Sequence, residues 1–198
     1  TGLMYLGHEV LGAREVPVFA MPRMLEYLRT NGPWDQLVRY NNITLEPLTA
    51  DAPVRLNQRI TIEPFVVPHR QEYSEVVGYR ITGPNRKVLF IPDIDSWHEW
   101  DAMGTRVEDA VGEVDVAYLD GTFFDNGELP GRDMTGFPHP FIAHTMKRLA
   151  PLSAKDRSKV RFVHFNHTNA AQFTDSEERK LIEKNGFRVA EENERVGL

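Results

Sequence analysis

The chain has 198 residues, 41% hydrophobic and 26% charged, values that favour one globular domain with a real core. Its net charge of −6 argues against a nucleic-acid binder, which normally carries a basic face to replace the counterions around phosphate. With no cysteine there are no disulfides, thiolate nucleophiles or Cys-type zinc sites, so any metal must be held by His and carboxylate.

No apolar run approaches the roughly 18 residues of a membrane helix, and no signal peptide opens the chain, so no membrane role and a cytoplasmic location are expected. The chain starts Thr1-Gly2-Leu3 without an initiator Met and runs straight into Leu3, Leu6, Val10 and Leu11 at helical spacing. That spacing predicts a helix over Thr1 to Leu11, stopped by Gly12, and suggests that a preceding segment has been lost.

Val16 to Ala20 reads as a buried strand, and Pro22 suits the opening turn of a helix that ends at Asn31-Gly32-Pro33. After a loop, strands are expected at Ile43 to Leu48, Ile60 to Val67, Val76 to Thr82 and Lys87 to Ile91. Gly83-Pro84-Asn85 turns between the last two. Glu99 to Val111 reads as one helix and Val114 to Leu119 as a strand, followed by a long polar loop from Gly121 to Gly136. Pro140 opens a helix through Ile142, Met146 and Leu149, and Val160 to Phe165 is a strand. Asp175, with Glu178 three residues on, caps a helix running to Gly186, and Phe187 to Ala190 closes as a strand. A strand meander followed by alternating strands and helices predicts an α/β (α+β) fold, sheets covered outside by helices, in one domain over residues 1–198.

Metal-competent residues fall at the ends of four predicted strands: His69, Asp93 with Asp95 beside it, Asp120, and His164 with His167 just after. A rigid sheet can hold such ligands to the tolerance a metal requires, and His with carboxylate suits zinc, iron or manganese in an open, reactive site. Each residue alone has an ordinary reading, since an Asp after a strand commonly caps a turn and a lone His is more often hydrogen-bonded than ligating.

The run VVPHRQEYSEVVGYRI, then VLFIPDIDSW, VAYLDGTFFD, FPHPFIAHTM and FVHFNHTNAA resembles, in order, the later motifs of metallo-β-lactamase-fold hydrolases, in the branch containing pyrroloquinoline-quinone biosynthesis protein B. The opening TGLMYLGHEVLGAREVPVFAMPRM is similar to the segment after that family's His-x-His-x-Asp-His metal motif, so the likeness spans essentially the whole chain. It implies an αββα sandwich, N-terminally truncated. It implies His69 as ligand of one metal, Asp93 as the bridging carboxylate, and His164 as the last histidine ligand, with His167 as second choice. Asp120-Gly121-Thr122-Phe123 is similar to a His-Glu-Ala-Thr-Phe segment of tRNA 3′-processing endonucleases of this fold. His139 resembles the histidine that pairs with that acid, which implies a general-acid relay. The His-x-His-x-Asp-His motif is absent from the chain, leaving a thin ligand set for two metals, and His8 is out of register to substitute for it.

The activity so implied is hydrolysis of an ester, amide or phosphodiester by a metal-activated water, with two divalent ions, zinc foremost and iron or manganese as alternatives. Iron-dependent oxidation in cofactor biosynthesis is a second reading, and a non-catalytic domain of this fold a third. The expected partner is a small-molecule substrate, with a homodimer left open. Trp97, Trp100, Phe123, Phe124 and Phe137 are candidates to wall its pocket and Arg132 to bind an anionic group. His98 and His144 are expected at the surface.

Overall fold

The computed structural model describes residues 2–198. Its first element is a short 3-10 helix, Gly2–Leu6, in place of the expected helix to Leu11; Thr1 lies outside the described residues. Gly7 and Gly12 bend the chain back on itself, with Leu11 N bonding Tyr5 O and Gly12 N bonding Gly7 O. Val10 and Leu11 are exposed, so the apolar spacing has no surface on which to stabilise a longer helix.

Strand β1 (Val16–Ala20) pairs in parallel with β2 (Ile43–Pro47) as a separate two-stranded sheet. Between them lie α1 (Pro22–Thr30), with Pro22 in its first turn, and α2 (Trp34–Arg39). Helix α2 falls where the sequence reads as loop, since Asn31-Gly32-Pro33 ends one helix and Pro33 immediately caps the next.

The main sheet has seven strands in sequence order: β3 (Val54–Arg55), β4 (Thr61–Val66), β5 (Val77–Thr82), β6 (Lys87–Ile91), β7 (Val116–Asp120), β8 (Val160–Val163) and β9 (Arg188–Val189). Pairing is antiparallel from β3 to β6 and parallel from β6 to β9. Gly78 in β5 leaves room for the Phe65 ring of β4, whose atoms would lie 2.6 Å from an added Cβ.

The parallel strands are linked by α3 (Trp97–Ala102), α4 (Val107–Gly112), α5 (Ile142–Leu149), α6 (Ala154–Arg157) and α7 (Glu177–Lys184). The single helix expected over Glu99 to Val111 is two, because Gly104 takes a left-handed φ of 96° between them. Ser176, not Asp175, caps α7 by accepting from Arg179 N. Crossovers between neighbouring parallel strands are right-handed almost without exception, which puts helices that join strands in this order on one face of a sheet. In the core, Leu89, Ile91, Ala117, Leu119 and Phe162 pack against Trp97, Trp100, Ile142 and Ile182. The mixed α/β architecture with a helix-flanked sheet is the one expected from the sequence. No helix among the described residues is long and apolar enough to cross a membrane.

Candidate metal centre

Two antiparallel steps separate β4 from β6, so β4 runs parallel to β6, β7 and β8, and all four point their C-terminal ends at one edge of the sheet. Every residue singled out at a strand end therefore emerges on the same rim. The chain path then closes the distances. His69 Nε2 lies 3.1 Å from Asp93 Oδ2, and His164 Nε2 lies 4.0 Å from that same oxygen. His139 Nδ1 lies 2.9 Å from Asp120 Oδ2 and 3.5 Å from Asp93 Oδ1. Ligand atoms of Asp93, Asp120 and His139 all fall within 4.8 Å of one another.

Asp120, fully buried, is held on three sides: Thr122 N donates to Oδ1 at 2.8 Å, and Ile94 N and His139 Nδ1 donate to Oδ2 at 3.0 and 2.9 Å. A carboxylate only accepts, so the His139 bond puts a proton on Nδ1 and leaves Nε2 as that ring's free nitrogen. Burial alone lowers the His139 pKa, but the Asp120 hydrogen bond and the charges of Asp120, Asp93 and Asp95 outweigh it and raise it above the usual 6.5.

Asp93 Oδ1 is the exception. It is buried and has no hydrogen-bond partner among the described residues, although the ring of His139 stands nearby. A buried unsatisfied carboxylate oxygen is costly, and it is the atom a cation would pair. The surrounding donors are imidazole nitrogen and carboxylate oxygen, which fit a divalent metal.

Asp95, which the sequence offers only as a neighbour of Asp93, accepts from His69 Nδ1 at 2.6 Å, so His69 presents Nε2 to Asp93. Thr122 Oγ1 stands 3.0 Å from His164 Nδ1 and likewise turns Nε2 of that ring inward. Asn169, wholly buried, donates to Gly121 O at 2.8 Å and Thr122 O at 3.3 Å and accepts from Ala171 N, tying the loop after β7 to the turn after β8. Asn in a His-Thr-Asn string reads as an ordinary turn residue, so its role surfaces only when the two loops are seen side by side.

His167 is exposed and its side chain joins none of these contacts; its carbonyl accepts from Gln172. His98 and His144 are also exposed, and His8 is exposed and stacked on Tyr40. Trp97 and Trp100 belong to the main core and Phe124 packs against it. Phe123 forms a smaller core with Met134 and Phe141, supported by Phe137, and its ring edge meets His139 at 5.8 Å. Arg132 is exposed at the loop surface.

A cavity of about 470 Å³ adjoins the cluster, bordered by Asp95 and His139 and walled by Trp97, Phe137, Pro138 and Pro140. Another cavity, of about 510 Å³, lies elsewhere, among Arg161, Arg179, Glu191 and Glu194. Those residues form ion pairs with one another at the C-terminal end, and that cavity shares no residue with the cluster.

Residues 1–165 match the family model of the Beta-lactamase superfamily domain. Among solved structures, Zn(2+)-bound PqqB from Methylobacterium extorquens is similar at a TM-score of 0.76 and 18% identity, covering 100% of this chain and 68% of that one. Unliganded yeast PDE1 is similar at a TM-score of 0.51 and 10% identity, covering 88% of this chain and 56% of that one. At these identities the likeness is one of fold. No curated protein matches the chain in sequence.

Proposed function

Because the chain belongs to the Beta-lactamase superfamily domain family, we propose that its sheet rim is a metal-dependent hydrolytic centre acting on an ester, amide or phosphodiester bond. The observation that carries this reading is the Asp93 carboxylate: its buried Oδ1 lacks a hydrogen-bond partner among the described residues and lies beside His139, while its Oδ2 faces the Nε2 atoms of His69 and His164. His69 Nε2, Asp93 and His164 Nε2 are the atoms that would hold the metal, with zinc the first choice. The chemistry such an ion supplies when bound is a nucleophilic water at neutral pH and charge stabilisation at the attacked centre.

The remaining steps belong to the chain. Asp120 orients His139 through Nδ1 and, with the charges of Asp93 and Asp95, favours the imidazolium, whose Nε2–H is placed to pass its proton to a departing oxygen or nitrogen and leave the neutral Nδ1–H ring. Phe123 packs against the His139 ring and is itself backed by Phe137, so one side of that ring meets an apolar wall. The adjoining cavity has the size of a small-molecule site, in keeping with a small substrate, not a nucleic acid.

The test is metal content by elemental analysis of the purified protein, followed by turnover of a chromogenic ester, an anilide and a bis-aryl phosphodiester. His69→Ala is expected to lose both the metal and every activity the parent shows. A His69→Ala protein that keeps its metal and its turnover overturns the assignment.

A further inference from the structure

His164 is the least restrained of the candidate ligands. Its side chain is 47% exposed, against 15% for His69, and it is the residue at which β8 ends in a left-handed turn, φ 65°. A non-glycine residue costs free energy in that region, so the surrounding structure must impose it. The imposing contacts come from the loop after β7: Asn166 N donates to Thr122 O at 3.0 Å, and Asn169 Nδ2 to Gly121 O and Thr122 O. Thr168 and Glu128 close the far end through a hydroxyl–carboxylate bond of 2.5 Å, while Phe124 N donates to the other Glu128 oxygen at 2.7 Å.

These bonds fix where the His164 backbone goes, but none of them sets the rotation of its ring. Among the described residues, one hydrogen bond reaches the imidazole: Thr122 Oγ1 at 3.0 Å from Nδ1. Thr122 is itself buried, and its own N–H is anchored on Asp120. Its hydroxyl is thus a fixed point between the buried acid and the exposed ring.

We propose that Thr122 is a positioning residue for the metal centre, accepting the Nδ1 proton of His164 and so reserving Nε2, the nitrogen nearer Asp93, for the metal. The inference rests on the metal-centre reading above. A hydroxyl can donate or accept, and the metal decides between the two: Nε2 must offer its lone pair to a cation, which leaves the proton on Nδ1 and makes Thr122 the acceptor. An outer partner of this kind typically changes metal affinity about 10- to 100-fold.

The experiment compares the parent with Thr122→Val, which keeps the shape and removes the hydroxyl, and Thr122→Ser, which keeps the hydroxyl. Zinc affinity is measured by chelator competition, and the protonated nitrogen of His164 is read from long-range ¹⁵N–¹H spectra of the zinc-loaded proteins. Expected are about a tenfold weaker affinity for Thr122→Val, near-parent affinity for Thr122→Ser, and an Nδ1-bound proton in parent and Ser variant. Equal affinity in parent and Thr122→Val, or coordination through Nδ1, overturns the role of Thr122 while leaving the metal centre standing. A folded parent that takes up no zinc overturns the metal-centre reading and this inference with it. Circular dichroism of each variant separates lost affinity from lost fold.

Discussion

Two histidine-bearing loops meet at Asp93, and they are built on different principles. The loop after β4 is held by charge: Asp95 grips His69 Nδ1 at 2.6 Å, and Arg23 on α1 donates to Gln71 O at 2.7 Å and Glu72 O at 3.0 Å. The turn after β8 is held by backbone path, through a left-handed His164 and amide bonds to the loop beside it, with a hydroxyl as the ring's partner. Hydrogen bonds to a charged group are worth roughly 1.5–3 kcal/mol against about 1 for a neutral pair, so the His69 side should be the stiffer of the two.

The largest effect that sharpens this contrast is expected from Asp95→Ala. It removes the acceptor that orients His69, and zinc affinity should fall toward the 100-fold end of the range for outer-shell partners, beyond the loss from Thr122→Val. Chelator competition on the two variants side by side gives the ranking. If Thr122→Val proves the more damaging, the division into a stiff and a soft loop is wrong.

The next effect concerns the seam between the loops. Gly121 directly follows β7, and an added Cβ would lie 2.9 Å from Val163 O and 3.0 Å from Phe162 Cβ. Gly121→Ala must therefore spread β7 from β8 just where Asp120, Thr122 and His164 leave the sheet. Overpacking of this kind costs about 1–3 kcal/mol, and in a domain of this size each kcal/mol lowers Tm by roughly 2–4 °C. Zinc affinity should fall with Tm, since both loops shift. Gly112→Ala in α4, where an added Cβ meets nothing within 4 Å, should leave both unchanged or slightly raise Tm. Thermal melts of the pair decide it, and equal Tm values would deny the seam any importance.

These contrasts also show what the sequence could and could not reveal. The strands were legible because Val88 to Ile91, Val116 to Leu119 and Val160 to Val163 are short apolar runs bounded by turn residues, and the polar residue after each run marks the rim. Helices α2 and α6 were not, because stretches of six and four residues carry too little periodicity to stand out from a loop. Likewise, Asp93 and His69 announce themselves by residue type, whereas Asp95, Thr122 and Asn169 matter only through their partners. Asp95 lies 26 positions from His69 and Asn169 48 from Gly121, separations that no local pattern encodes.

The smallest expected effect on metal binding lies in the helical layer beside the rim, where Arg148 also lines the 470 Å³ cavity. Arg148 on α5 joins α3 to α4, with Nε and Nη2 on Glu108 at 2.9 and 2.8 Å and Nη2 also on Asp101 at 2.7 Å. Burial by itself would raise the Glu108 pKa, but hydrogen bonds from Arg148, its own backbone amide and Arg106, together with the Arg148 charge, bring it from 4.5 down to about 2. A carboxyl whose folded pKa is depressed contributes stability that is complete above its unfolded value and is lost as the pH falls toward the folded one. The Glu108 contribution should therefore be whole above about pH 4.5 and fade between 4.5 and about 2. Glu108→Gln lacks that titration, so its Tm should lie below the parent's at neutral pH and the two curves should converge as pH 2 is approached. Parallel Tm curves across that window would show that the triad does not tie the helices together as the geometry requires. Because the triad has no contact with His69 or His164, zinc affinity at neutral pH should be the same in both proteins, which separates the layer that supports the rim from the loops that shape it.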